Sequence, residues 1–286
     1  MSAALDYRSR LRLPPLEVLV EEFEPGGFDL PEELATIYGG PLALKPHSLC
    51  ANFVASLDGV TAIPGLAQSS HLIAAGSEHD RFLMGLLRAC ADAILIGAGT
   101  LHDSPQTRWT PEHAYPPAAP LYAELRRRRG LPPQPTLAVL SGSGRIDPQH
   151  PGLRERTLVL TSEQGAAQIG TRLPGSAAIV PLAGQPPVDP KAALAALRAG
   201  GHELILCEGG PSLLGVFVAA GVVDELFLTL SPVLIGRPAG QERLSLLEQA
   251  APPGETAATL VSVRRSGSHL FLRYRLSSHG GGRDAR

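Results

Sequence analysis

Short apolar runs alternate with amphipathic segments along most of this chain. The runs have the length of strands, and the segments between them repeat apolar residues at the three- and four-residue spacing of a helix. Strands that alternate with helices are typical of a largely parallel sheet covered on both faces. The predicted strands are 48–56, 93–98, 136–140, 157–161, 178–182, 203–207 and 225–230, and the predicted helices are 78–90, 122–129, 162–170, 190–199 and 212–220, with a proline-rich loop at 101–117.

The two ends of the chain depart from this pattern. Residues 260–264 and 269–276 flank Ser266 and Gly267, so they predict an antiparallel pair that closes an α/β domain over 47–277. Residues 1–46 lack strong periodicity and predict an N-terminal arm that packs on this domain or on a partner subunit. Within the arm, 31–38 predicts a short helix and 16–20 an edge strand or a helix start. Residues 278–286 are rich in glycine and predict a flexible tail.

Composition argues against several classes of protein. The 286 residues are 44% hydrophobic, enough for a buried core, and the formal net charge of −2 gives no reason to expect nucleic acid as a partner. The longest apolar run, 213–223, is far shorter than the roughly 20 residues that span a membrane, and no signal segment starts the chain. We therefore expect a cytoplasmic protein. Cys50, Cys90 and Cys207 stand apart in apolar runs and are expected to be buried thiols, not disulfide or metal ligands.

Candidate chemistry follows the predicted strands. Ligands of a parallel sheet bind beyond the carboxyl ends of its strands, and four polar clusters fall there: 56–59, 97–100 with Asp103, 141–145 and 208–210. In the last cluster two glycines separate a strand from a helix whose first position is Pro211. Bare backbone and the partial positive charge of a helix start favour a phosphate or pyrophosphate. A tight strand-to-helix connection without a ligand is the alternative.

Four consecutive arginines, 126–129, end the predicted helix 122–129. They could bind phosphate, but cations also favour the carboxyl end of a helix, and the segment lies between proline-rich loops. The pattern therefore favours a solvated helix end over a phosphate site.

Six stretches together resemble one family. They are Ala-Asn-Phe-Val-Ala-Ser-Leu-Asp-Gly at 51–59, Leu-Arg-Ala at 87–89, Asp-Ala-Ile-Leu-Ile-Gly-Ala-Gly-Thr at 92–100, Asp-Ser-Pro at 103–105, Glu-Gly-Gly-Pro-Ser-Leu at 208–213 and Val-Asp-Glu-Leu-Phe-Leu-Thr-Leu-Ser-Pro at 223–232. In this order, over about 46–276, the chain resembles the pyrimidine reductases of riboflavin biosynthesis, the C-terminal domain of the bifunctional RibD enzymes. The zinc-deaminase signature of those enzymes is not found in the chain, so a stand-alone reductase is expected.

The resemblance implies a dihydrofolate-reductase-like three-layer fold, NADPH as hydride donor, a homodimer, and a ribosylaminouracil 5′-phosphate whose ribose is reduced to a ribityl chain. Matched by position, it assigns the cofactor to Val54, Ala55, Leu72, Thr100, Asp103, Ser141, Gly209, Gly210, Pro211, Ser212, Leu213, Leu214, Gly215 and Val216. It assigns the substrate to Asn52, Ser70, Arg88, Arg108 and Glu208, with Asp103 and Glu208 as the candidate catalytic residues. The bland alternative for Arg88 is a surface arginine paired with an acid. From its charge alone, Arg145 is added as a candidate contact for the 2′-phosphate of NADPH.

Three departures from the family pattern concern the predicted site. Asn52 stands where the family carries a lysine, Leu72 replaces an aromatic cofactor contact, and the segment that leads to Arg108 is shortened. Three hypotheses therefore remain: a riboflavin-pathway reductase, a reductase of dihydrofolate or another uncharged heterocycle on the same fold, and an NADP-binding protein without turnover. No metal is expected in any of them.

Overall fold

The computed structural model describes residues 13–22, 29–184, 187–252 and 254–277. Within these ranges ten strands form one sheet in the order β1-β9-β10-β8-β2-β7-β3-β4-β5-β6. The strands are β1 Glu17–Glu21, β2 Leu49–Ser56, β3 Ala93–Gly97, β4 Thr136–Leu140, β5 Thr157–Ser162, β6 Ala177–Leu182, β7 Ile205–Cys207, β8 Glu225–Ser231, β9 Ala258–Ser266 and β10 His269–Leu276.

Strands β2 to β8 are all parallel, whereas β10 is antiparallel to β8, β9 to β10, and β1 to β9. The predicted α/β class, with a mostly parallel sheet and an antiparallel C-terminal pair, is confirmed. The helices are α1 Glu32–Tyr38, α2 Ser69–Ile73, α3 Glu78–Cys90, α4 Ala98–Asp103, α5 Pro111–Ala114, α6 Ala119–Arg128, α7 Glu163–Ile169, α8 Pro190–Ala199 and α9 Pro211–Ala219. Helix α5 and the last three residues of α4 lie in the segment 101–117 that was predicted as a loop, because such short helices are too brief to show a period.

The core lies on both faces of the sheet. Successive side chains of a strand point to opposite faces, so Cys50 joins the cluster of α1, α3 and α6, while its neighbour Ala51 joins that of α8 and α9. Leu206 and Ile205 of β7 divide in the same way. The result is three layers with the sheet in the middle. Within the described ranges, no helix is long and apolar enough to cross a membrane.

The described part of 1–46 packs on the sheet itself. Strand β1 pairs with β9, and Leu13 and Leu16 belong to the larger core cluster. Beneath it the guanidinium of Arg264 lies 3.9 Å from the ring centre of Tyr38 and donates to its carbonyl at 2.8 Å. The C-terminal pair therefore does not present a free edge, because β1 covers β9. The predicted tail 278–286 lies outside the described residues.

Candidate active site

A cleft of about 350 Å³ opens toward the carboxyl ends of β2, β7 and β3, in the middle of the sheet. The strand order brings distant stretches of sequence together here, since β7 lies between β2 and β3. Helices α2, α3 and α4 form the surrounding walls. The predicted residues that line the cleft are Asn52, Val54, Ser70, Arg88, Thr100, Asp103, Glu208, Gly210, Pro211, Ser212 and Leu213.

Other predicted residues lie outside the lining: Ala55, Leu72, Arg108, Ser141, Arg145, Gly209, Leu214, Gly215 and Val216. Gly209 packs on neighbouring backbone, where an added Cβ would lie 2.6 Å from the Gly97 nitrogen. A Cβ on Gly215 would meet the carbonyl of Glu248. Packing is therefore sufficient to require a glycine at both positions, whether or not a ligand binds there.

Two of the four polar clusters do not face the cleft. In 56–59 the Asp58 carboxylate accepts from Ser56 Oγ at 2.6 Å and from the backbone of Ile235 and Gly236 at 3.1 and 2.7 Å. These hydrogen bonds, that from Ser56 foremost, lower the pKa of Asp58 to about 2. In 141–145 the exposed Arg145 donates to Ser143 Oγ at 3.4 Å. The other two clusters form the cleft.

Arg88 and Glu208 form a buried ion pair in the cleft, and their side chains are only 4% and 7% exposed. Nε of Arg88 lies 3.0 Å from both carboxylate oxygens, and Nη2 donates to Oε2 at 2.7 Å. Nη1 donates to the carbonyls of Arg108 and Thr110 at 3.3 and 3.2 Å. The main polar contacts of Arg88 and Glu208 are therefore the hydrogen bonds that they make to each other. The sequence analysis offered a surface arginine paired with an acid as the alternative for Arg88. The pairing is present, but it lies in the interior of the protein and not at its surface.

Thr100 connects the two glycine-bearing turns. Its Oγ1 accepts from the Gly210 backbone nitrogen at 2.6 Å, which ties the start of α9 to α4. An added Cβ at Gly99 would meet no atom within 4 Å, and one at Gly210 would meet only Thr100 Oγ1, at 3.2 Å. Both glycines therefore present bare backbone to the cleft. Because Thr100 takes the N–H of Gly210 and Pro211 has none, Ser212 is the first residue of α9 whose N–H points to no described acceptor.

Asp103 differs from Glu208 in its surroundings. Its side chain is 53% exposed and lies 3.1 Å from Nδ1 of His102. Its backbone carbonyl accepts from the nitrogen of Gln68, which ties the loop before α2 to the end of α4. Asp103 thus lies at the open mouth of the cleft, where it can exchange protons with solvent.

Asp80 is a cleft residue that the sequence did not predict as a site. It lies in the first turn of α3, its backbone nitrogen donates to the N-cap Ser77 at 3.2 Å, and the residue is 7% exposed. Burial raises the pKa of its carboxyl, against the opposing effects of Thr229, His269 and Arg81. The available signal was an acid on the apolar stripe that continues with Leu83 and Leu87.

Basic side chains lie near one residue of the cleft, while Arg81, Arg108 and His113 themselves lie outside the lining of the cleft. His71 lines it, and partial burial together with the charges of Arg81 and Arg88 lowers the pKa of His71. Burial, Arg88 and Arg108 likewise lower the pKa of His113, which Glu112 opposes. We refer to His71, Arg81, Arg108 and His113 as the basic group. Unlike Arg88, the exposed Arg108 has no ion pair with a described carboxylate.

Comparison with known proteins places this arrangement among the reductases. The chain is 30% identical over 196 residues, 68% of its length and 83% of the relative's, to the 2,5-diamino-6-ribosylamino-4(3H)-pyrimidinone 5′-phosphate reductase of Archaeoglobus fulgidus. It is 30% identical to the riboflavin biosynthesis protein RibD of Mycobacterium tuberculosis over 194 residues, which cover 44% of that protein.

A pyrimidine reductase-like protein of Corynebacterium diphtheriae has a similar structure, with a TM-score of 0.62 and 25% identity over 85% of this chain and 98% of that one. The sequence model of the RibD C-terminal domain matches residues 47–272, which contain the whole cleft. The predicted family is confirmed, and this chain belongs to the family of RibD C-terminal reductase domains.

Proposed function

We propose that this protein is an NADPH-dependent reductase that converts a ribosylaminopyrimidine 5′-phosphate into its ribitylamino product. One observation carries the proposal: a glycine-lined helix start and a buried carboxylate lie in the same cleft, at the centre of the sheet. The chain also belongs to a family of such reductases. The helix start suits the pyrophosphate of a dinucleotide, and the carboxylate lies next to the space left for a second ligand.

The cofactor half fits NADPH. Gly99 and Gly210 leave room for close approach of a phosphate, and Ser212 offers a backbone N–H at the positive end of α9. Val54 and Leu213 supply apolar walls. When bound, NADPH supplies the hydride that reduces C1′ of the open-chain form of the ribose. Arg145 and Ser141, which lie outside the cleft lining, remain candidates for the 2′-phosphate end.

The substrate half stabilises charge. Glu208 is held by three donor contacts from Arg88, so it is oriented to stabilise positive charge that develops on the ribosylamine. Asp103, at the solvent-facing mouth, is better placed to exchange the proton that ring opening requires. Ser70 and Asn52 line the space between them. We assign the 5′-phosphate to the basic group, with Arg108 as its principal contact.

A second candidate is a reductase of an uncharged heterocycle such as dihydrofolate. The pairing of Arg88 with Glu208 favours it, because this pairing removes the most buried cation from phosphate binding. Oxidation of NADPH with each candidate substrate separates the hypotheses. The proposed function predicts turnover with the phosphorylated ribosylaminopyrimidine and little with dihydrofolate. Turnover of dihydrofolate alone supports the second candidate, and cofactor binding without any turnover supports an NADP-binding protein that is not an enzyme.

We also infer that the protein forms a homodimer. Among the described residues β1 pairs with no strand other than β9, and it carries Val18, Leu19 and Val20 with 42%, 46% and 36% of their surfaces exposed. An apolar edge strand of this kind invites pairing with a second copy. Light scattering at micromolar concentration tests the inference, and a monomer mass contradicts it.

A further inference from the structure

Trp109 and His150 pack against each other behind the wall of the cleft, and neither was predicted as a site residue. Trp109 lines the cleft, although the residue is only 5% exposed. Its ring centre lies 5.8 Å from that of His150, and the two ring planes are inclined by 35°. The indole also belongs to a core cluster with Ile96 and Leu153. Trp109 therefore joins the cleft wall to the core, and His150 supports it from outside the cleft lining.

The hydrogen bonds of His150 fit only one form of its ring. Nδ1 accepts from the backbone nitrogen of Gly152 at 3.0 Å, so Nδ1 carries no proton. Nε2 lies 3.0 Å from the carbonyl oxygen of Ser104, which can only accept, so Nε2 carries the proton and donates it. The imidazole is therefore neutral and uses both nitrogens. It connects the turn at 150–154 to the end of α4.

Ser104 begins a loop that depends on contacts from other parts of the chain. Helix α4, which ends one residue earlier, has six residues and no side-chain N-cap, so it is too short to fix its own end. Beside the bond from His150, the carbonyl of Ser104 accepts from the backbone nitrogen of Thr107 at 2.9 Å. The loop closes at Trp109. His150 thus contacts the loop at both ends, by a hydrogen bond at Ser104 and by ring packing at Trp109.

We propose that His150 is a positioning residue, which holds Ser104 and Trp109 so that the carboxylate of Asp103 keeps its place at the mouth of the cleft. This inference rests on the proposed function, in which Asp103 exchanges the proton that ring opening requires. The side chain of Asp103 is 53% exposed and contacts another exposed residue, His102. Its position therefore depends on its backbone. Because a displacement of about 1 Å in a reacting group can lower a rate about 100-fold, loss of the bond to Ser104 should impair catalysis more than binding.

Two substitutions each remove one of the two hydrogen bonds of His150. In His150→Asn the amide oxygen takes the place of Nδ1 and keeps the bond from Gly152, but the donor to Ser104 is lost. In His150→Gln the amide nitrogen reaches the place of Nε2 and keeps the bond to Ser104, while the bond from Gly152 is lost. Since each variant loses one hydrogen bond, a role in stability alone predicts similar activity in both.

Steady-state kinetics separates the two variants. His150→Asn should lower kcat by about 10-fold to 100-fold and leave both Michaelis constants within about 2-fold of wild type. His150→Gln should keep kcat within about 3-fold of wild type. His47→Asn, at a surface histidine with a side chain that is 67% exposed, is the control and should behave as wild type. Equal kcat values in the two His150 variants, a wild-type kcat in His150→Asn, or a change confined to the Michaelis constants overturns the inference.

The fluorescence of Trp109 gives a readout that needs no turnover, because Trp109 is the only tryptophan in the chain. His150→Asn should shift the emission to longer wavelength as water reaches the indole, whereas His150→Gln should keep the wild-type spectrum. Where His150→Asn does not fold, Gly152→Ala replaces it. The added Cβ would lie 2.9 Å from Cζ3 of Trp109 and should displace the ring, with the same fall in kcat.

Failure of the proposed function would appear differently, as no oxidation of NADPH by the wild-type protein with any ribosylaminopyrimidine 5′-phosphate. The emission spectra would then test the contact between His150 and the loop on their own. Identical spectra in wild type and His150→Asn, or equal shifts in the two His150 variants, would overturn the positioning role in that case as well.

Discussion

Arg88 and Glu208 form a buried ion pair that joins α3 to the turn after β7, with Nη2 of the arginine 2.7 Å from the carboxylate. The two residues are 120 positions apart in the chain, and each carries a family motif. Their contact fixes the wall of the cleft. It also means that a substrate phosphate would have to compete with Glu208 for Arg88, so we assign the phosphate to the basic group.

Truncating either partner of this pair should destabilise the protein. Arg88→Ala leaves the Glu208 carboxylate buried without its cation and should lower the free energy of unfolding by about 3–5 kcal/mol. Urea unfolding measures the effect. Arg265→Ala is the matched control, because Arg265 pairs with Glu17 at the surface and such pairs contribute under about 1 kcal/mol. Equal losses in the two variants would contradict a special role for the buried pair.

The adjacent glycines after β7 should respond differently to added side chains. At Gly209 a Cβ would lie 2.6 Å from the backbone nitrogen of Gly97, so Gly209→Ala should lower the free energy of unfolding by about 1–3 kcal/mol. At Gly210 an added Cβ would lie 3.2 Å from Thr100 Oγ1, a close contact that a small shift of this side chain would relieve. Gly210→Val should fill the cleft and raise the dissociation constant of NADPH about 10-fold without unfolding. Gly175→Ala, in open space, is the control. Wild-type affinity for NADPH in Gly210→Val would exclude this turn from the cofactor site.

Arg108 should be specific for the phosphate. Arg108→Ala should raise the Michaelis constant for the phosphorylated substrate about 10-fold, the loss of one charge-assisted contact, and leave the dephosphorylated substrate unchanged. Steady-state kinetics with both substrates measures the difference. Arg154→Ala, an exposed arginine outside the cleft lining, should change neither value. An equal rise in the Michaelis constants of both substrates in Arg108→Ala would contradict the assignment of the phosphate to this residue.

Asp58 should make stability depend on pH. Its pKa is lowered from 3.8 to about 2 in the folded protein, so its contribution is present above pH 3.8 and disappears as the pH falls toward 2. Asp58→Ala should therefore be less stable than wild type at neutral pH, and the difference should shrink in acid. Urea unfolding between about pH 6 and pH 3 measures it. A difference that does not vary with pH would exclude the charge of Asp58 as its cause.

The sequence predicted helices and strands well where the apolar period and the capping residues lie within the element itself. The strand Thr136–Leu140 and the helices Glu78–Cys90 and Pro190–Ala199 agree with their predicted bounds, because apolar period and capping residues are encoded within each segment. Ser77, Asp189 and Ser162 act as side-chain N-caps. The buried state of Cys50, Cys90 and Cys207 is also confirmed.

Long-range pairing was the part that the sequence could not show. The arginine run was predicted as a solvated helix end, and for Arg126 this is wrong. Arg126 is 1% exposed and donates to the carbonyls of Arg88, Ala89 and Ala91 at the end of α3. Burial lowers its pKa to about 10. The sequence did not predict Asp80 as a site residue for a related reason. An acid near a helix start usually faces solvent, and only the folded sheet places Thr229 beside Asp80.

Isotopic labelling of the cofactor tests the proposed hydride transfer directly. NADPH deuterated at the transferred position of C4 is incubated with the protein and a ribosylaminopyrimidine 5′-phosphate, and the product is analysed by mass spectrometry and NMR. The proposed function predicts a ribitylamino product with one deuterium, located at C1′. A product without deuterium, deuterium at another carbon, or no product although the deuterated cofactor binds would contradict it.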